Sequence, residues 1–211
     1  MYPRPFDLMR LVCSLCQDLP LTRGLYLPGL AALIGYPVLS VLLGSGQGGQ
    51  AFVTAFFCGF ALQIVFGFEG LARRLLALCQ SAALAGGVGL AIACLPLIVL
   101  LLADDPLWCQ RMQSAVYLGL ACVFVLDVIK GRVTIAASLW PDAGMRGHLS
   151  GLTRAMVLVS AAFVVLNETL IYSLDQSQWL IGWALLPLVS QMVLRATVLT
   201  VMHLDDNGQP V

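Results

Sequence analysis

Few residues in this 211-residue chain have both the type and the setting to do chemistry. Among the polar groups within or at the ends of its long apolar runs, Asp127, Lys130, Arg154, Glu168 and Arg195 are ionisable and Asn167 and Gln191 are amides. Charge inside a hydrocarbon layer is costly, so each is a candidate functional position. Asp127 precedes Lys130 by three residues, a spacing that puts both on one helical face as an ion pair fixing the depth of that helix. Glu168 is the sharper case. Arg154, fourteen residues earlier, returns to nearly the same face, but about 21 Å away along a helix axis, so the two cannot meet. Glu168 is expected to serve helix packing or the headgroup layer, with a proton-carrying or transport role as the alternative. Gln191 and Arg195 share a face of the last run, where with Asn167 and Glu168 they are expected to organise the packing of the last two spans.

Catalysis finds little footing. The two histidines, His148 and His203, lie outside the apolar runs, and no HExxH, GxSxG or usable Ser/Lys spacing occurs. The expectation is a protein that is not an enzyme and has no catalytic, cofactor-binding or metal-ligating residues. Seven cysteines spread through the chain do not describe a disulfide framework. Cys13-Ser14-Leu15-Cys16 is a lone CxxC without a second pair or a nearby His, which leaves a redox or metal role open but weakly signalled.

The elements that must position these groups are set by composition. Sixty per cent of residues are hydrophobic and 10% charged, with a mean hydropathy of +0.92. Soluble domains carry about 25% charged residues, so the bilayer is the natural solvent for this chain. A formal net charge of zero offers no basic face for nucleic acid. Runs near 26–45, 51–69, 81–103, 114–130, 151–173 and 180–201 each approach the roughly 20 residues that cross hydrocarbon as a helix. The expected fold is therefore all-α and polytopic, with about six transmembrane helices. It divides into a cytoplasmic or interfacial segment over 1–25, a single membrane domain over 26–204 and a tail over 205–211. Phe6–Leu19 reads as a short interfacial helix. Charges through residues 1–25 interrupt any signal-peptide core, so the first span is expected to remain as a signal anchor.

Arg4, Arg10, Arg23, Arg73, Arg74, Lys130, Arg132, Arg146, Arg154 and Arg195 flank one end of alternate runs, and only Arg111 lies at the other. Basic residues favour the cytoplasmic side, so both termini are expected there. Arginine for nearly every basic residue, with Lys130 the only lysine, reads as a bacterial inner-membrane composition. Trp108, Trp140 and Trp179 fall at run ends, where aromatic rings prefer the headgroup layer. Asp104-Asp105-Pro106 closes the third run, and Pro106 can open the next helix.

The last third of the chain resembles the intracellular septation protein A family of bacterial inner-membrane proteins. The residues that carry the resemblance are Leu152-Thr153-Arg154 opening a helix, Leu166-Asn167-Glu168 closing it, then Trp179, Leu186-Pro187-Leu188, Gln191 and Arg195. Leu27-Pro28 with Tyr36 is similar to that family's first span. Leu25 departs from it, standing where an acidic residue is usual, and residues 1–24 are an extension. The resemblance implies a role in septation and cell-envelope maintenance through contacts with other membrane proteins of the division or envelope machinery, and it carries over no catalytic residues. Two other classes fit the residues: a small transporter or channel subunit using Asp127 and Glu168, and an accessory subunit of a larger membrane complex.

Overall fold

A computed structural model describes residues 23–44, 46–78, 86–91, 94, 97–98, 105–140 and 143–203. Every regular element among them is helical: α1 (Arg23–Leu43), α2 (Gly48–Leu78), α3 (Pro106–Ile129), the short α4 (Thr134–Leu139), a 3-10 turn (Ala143–His148), α5 (Leu149–Ser173) and α6 (Gln176–Met202). Five helical stretches are long and apolar enough to cross a membrane. The expected third run, 81–103, falls largely outside the described residues, as do Cys13, Cys16, the interfacial segment Phe6–Leu19 and the tail.

Helix boundaries follow backbone chemistry more closely than hydropathy. The run expected from 114 begins at Pro106, because Asp105 caps it: an Asp105 Oδ1 accepts the Leu107 N–H at 2.9 Å, with Pro106 in the first turn. The run expected from 180 begins at Gln176 behind a capping box, in which Asp175 accepts the Gln178 N–H at 2.8 Å and the Gln178 side chain accepts from the Asp175 N–H. Both extensions add a polar first turn or two to an apolar helix. Arg73 and Arg74, expected in a loop, lie within α2 instead, since Leu-Ala-Arg-Arg-Leu-Leu-Ala-Leu contains only strong helix formers and nothing to break the helix.

α1 lies along α2 and α3 along α5, while α6 packs on both α1 and α5. Phe52, Phe56 and Phe60 recur every four residues on α2 and meet Trp179, Leu180 and Trp183 of α6 with Ala32 of α1 and Cys109 of α3. Tyr36 meets Phe52 edge-on at 5.9 Å between ring centres, and Phe56 sits 4.9 Å from Trp183. A smaller core at the opposite end joins Ala136, Met145, Leu149 and Leu152, with Trp140 and Val201 against it. The Pro106, Ser173 and Gln176 helix ends thus sit together, and Lys130, Arg132, Arg146 and Arg154 lie at the other end.

Two glycines let the backbones close. A Cβ on Gly59 would lie 2.7 Å from the Pro28 carbonyl oxygen, and one on Gly29 2.8 Å from Ala184 Cα. Both obstacles are backbone and cannot rotate away. Small residues at crossings are how membrane helices gain dispersion contact, since lipid tails are as apolar as the side chains they replace. Gly59→Ala is expected to destabilise the fold by about 1–3 kcal/mol. Gly67→Ala, where nothing lies within 4 Å, should leave it unchanged or slightly firmer. Thermal midpoints of the two variants in detergent decide this, and equal midpoints would contradict the crossing.

Candidate functional site

The sequence places the amide Asn167 beside Glu168 in the last turns of α5. The structure supplies its partners from two other helices. Asn167 Nδ2 donates to the Gln110 carbonyl at 3.0 Å and to Ser114 Oγ at 2.8 Å, and Asn167 Oδ1 accepts the Trp179 indole N–H at 3.1 Å. Indole nitrogen only donates, which sets which end of the amide faces α6. Because Ser114 Oγ accepts from Asn167, its own proton goes to Glu168 Oε1 at 2.6 Å. Glu168 Oε2 then faces the Arg111 guanidinium, with 3.8 Å to Nε. One turn deeper, Trp183 Nε1 donates to Gln113 Oε1 at 3.2 Å. The result is a chain of donors running from α6 through α5 to α3 and ending on a carboxylate beside a cation.

Gln110, Gln113 and Ser114 reach this site because they recur at three- and four-residue spacing on the face of α3 turned toward α5, followed by Tyr117 stacked on Phe163 at 4.9 Å. Sequence reasoning missed these partners. The signal was present in the Asp-Pro cap, which starts the helix early enough to make residues 110, 113 and 114 one face.

Trp179 requires a correction. It is expected at the headgroup layer, yet it is only 1% exposed and lies among Phe52, Phe56 and Trp183. The helix begins a turn before the apolar run, so this ring faces inward, and its N–H is met by Asn167 in place of interfacial water. Trp108, at 54% exposed, keeps the outward position.

The remaining candidates do not join this site. Gln191 and Arg195 lie twelve and sixteen residues beyond Trp179 on α6, about 18 and 24 Å along the axis, so they are not part of this cluster. Arg154 is exposed near the start of α5. Asp127 makes no ion pair with Lys130 among the described residues. Its buried carboxylate instead accepts the Ile135 N–H at 2.8 Å, because the chain turns back at Gly131 and brings the start of α4 onto it.

Beside the cluster, an open cleft of about 440 Å³ is lined by Tyr36, Gln110, Leu174, Asp175, Gln176 and Ser177. Asp175, in the turn between α5 and α6, has its carboxyl held below the usual carboxylate range by the Gln178 N–H and then the Ser177 hydroxyl. A lowered folded-state value means the cap contributes stability at neutral pH and loses it as pH falls through that value. The midpoint gap between wild type and Asp175→Ala should therefore be widest at neutral pH and narrow on acidification. A gap independent of pH would contradict it.

Asn167→Ala strands the Trp179 N–H and should cost about 1–3 kcal/mol. A double-mutant cycle with Trp179→Phe should return a coupling near 0.6 kcal/mol and no more than about 1.7 kcal/mol, as for hydrogen bonds between membrane helices. Strict additivity of the two variants would dissolve the pair.

Comparison with family models, curated proteins and solved structures gives no match for this chain, so the reading of its function rests on its own residues and their geometry.

Proposed function

We propose that this chain is a six-span protein of the bacterial inner membrane, both termini cytoplasmic, that serves septation and envelope maintenance through contacts with other membrane proteins. The observation that carries the reading is where its in-span polar groups are used. Glu168 holds Ser114 and Arg111, Asn167 holds Gln110, Ser114 and Trp179, and Asp127 holds Ile135. A carrier needs groups that release one partner to take up another, whereas these fasten helices to one another. The same Asn167, Glu168 and Trp179 are among the residues that resemble the septation family, which supports a shared packing scheme for the last two spans. Collection of Lys130, Arg132, Arg146 and Arg154 at one end supports the orientation.

Deletion of the coding sequence is expected to give filamentous cells with a leaky envelope, restored by the wild-type chain. Glu168→Gln keeps an acceptor for Ser114 but loses the charge facing Arg111. It should complement in proportion to its abundance in the membrane, with proton-coupled uptake into liposomes absent for both proteins. Full abundance of Glu168→Gln together with loss of an uptake that wild type performs would replace this reading with transport.

A further inference from the structure

At the end of the bundle opposite the Asn167 cluster, Lys130, Arg132, Arg146 and Arg154 are exposed and form no ion pair among the described residues. α3 closes in a Schellman turn: Gly131, at φ +60°, donates to the Val128 carbonyl at 3.1 Å, and Arg132 N–H to the Asp127 carbonyl at 2.8 Å. The left-handed step at Gly131 reverses the chain and leaves Lys130 and Arg132 exposed on the outside of the turn. For Lys130 and Arg132, Asp127 is the carboxylate nearest in sequence, and it is 8% exposed and engaged by the Ile135 N–H. It is spent on starting α4 and is withdrawn from the surface. The segment that follows does not project away. Ala136 and Met145 pack on Leu149 and Leu152, with Val133 and Trp140 against them, which folds α4 and the 3-10 turn flat onto the end of the bundle. Arg146 and Arg154 are exposed on this folded segment and on the first turns of α5. None of Lys130, Arg132, Arg146 and Arg154 forms an ion pair among the described residues.

From this arrangement we infer that Lys130, Arg132, Arg146 and Arg154 form a binding surface for the phosphate headgroups of anionic phospholipids in the adjoining leaflet. Guanidinium groups match phosphate oxygens with paired donors. Clusters of basic residues just outside a membrane helix are drawn to anionic lipid, and the attraction decays within a Debye length. The half-buried Trp140 at the same end is suited to hold the segment at headgroup depth. The inference needs this end to lie at a bilayer surface, but it does not depend on a role in septation.

The test uses the full chain reconstituted in nanodiscs of phosphatidylcholine mixed with phosphatidylglycerol, with the lipid retained on detergent extraction quantified by mass spectrometry. Wild type should retain phosphatidylglycerol above its share of the bulk, and the enrichment should fall as salt is raised. Lys130→Gln/Arg132→Gln/Arg146→Gln should lower the preference for phosphatidylglycerol over phosphatidylcholine by on the order of a hundredfold, since each basic residue near the surface contributes roughly fivefold. Arg132→Lys/Arg146→Lys, which keeps the charge, should retain most of it. Enrichment that the triple variant leaves intact, that salt does not touch, or that inorganic phosphate abolishes would overturn the proposal, the last by assigning the surface to free phosphate. If the triple variant does not fold, the salt series on wild type and the single variants Arg132→Gln and Arg146→Gln carry the same decision. Failure of wild type to enter the nanodisc at all would strike the membrane reading itself, and flotation with vesicles separates that outcome from the others.

Discussion

An amide in hydrocarbon has no water to fall back on, so each of its donors and acceptors must be met by protein. Asn167 meets this demand with the Gln110 carbonyl and Ser114 hydroxyl of α3 and the Trp179 indole of α6. Much else is fixed by that choice. The indole N–H must point at α5, which sets the ring tilted against Phe52 and Phe56 and so where α2 lies against α6. The serine proton must go elsewhere, and Glu168 is where it goes, which brings the carboxylate against Arg111. Two of the costliest side chains in the helical part are thereby made neutral as a pair.

Helix pairing in a bilayer is decided by closeness and by hydrogen bonds, because exchanging a lipid tail for a leucine gains little. The two devices are divided between the two halves of this molecule. α1 has few polar side chains and makes its approach at Gly29 and Gly59, where even a methyl group would strike backbone. α3 and α5 are held by the amide and hydroxyl network, with the Tyr117–Phe163 stack below it. α6 takes part in both, with Ala184 against Gly29 and Trp179 on Asn167. It is the element through which the two halves share one register.

Most of the architecture was legible in the sequence, because hydrocarbon thickness and backbone satisfaction leave a helix as almost the only solution for a long apolar run. The site was legible only in part. Asn167 and Glu168 stood out as misplaced polarity, but their partners did not. Gln110 and Gln113 precede the apolar stretch of α3 and Ser114 opens it, so they do not look like one helical face until the Asp105 cap and Pro106 are given weight. Trp179 was misplaced for the same reason, since a tryptophan at the edge of a hydropathy window looks interfacial when the helix in fact begins a turn earlier. Asp127 and Lys130 had the spacing of an ion pair, but the Gly131 reversal brings a backbone N–H to the carboxylate, and no periodicity rule anticipates a turn that folds back.

Orientation rules count cations and give carboxylates little weight, and Asp127 gives that asymmetry a structural cause. A carboxylate beside Lys130 and Arg132 would partly cancel their field if it stood at the surface. Burying it costs desolvation unless a donor meets it, and the free N–H at the start of α4 is such a donor, one that would otherwise need a cap of its own. A single contact therefore satisfies a buried charge, begins a helix and leaves the neighbouring cations uncancelled. At the opposite end Arg111, the one cation there among the described residues, is offset by Glu168. The placement of the acids thus differs between the two ends as the placement of the bases does.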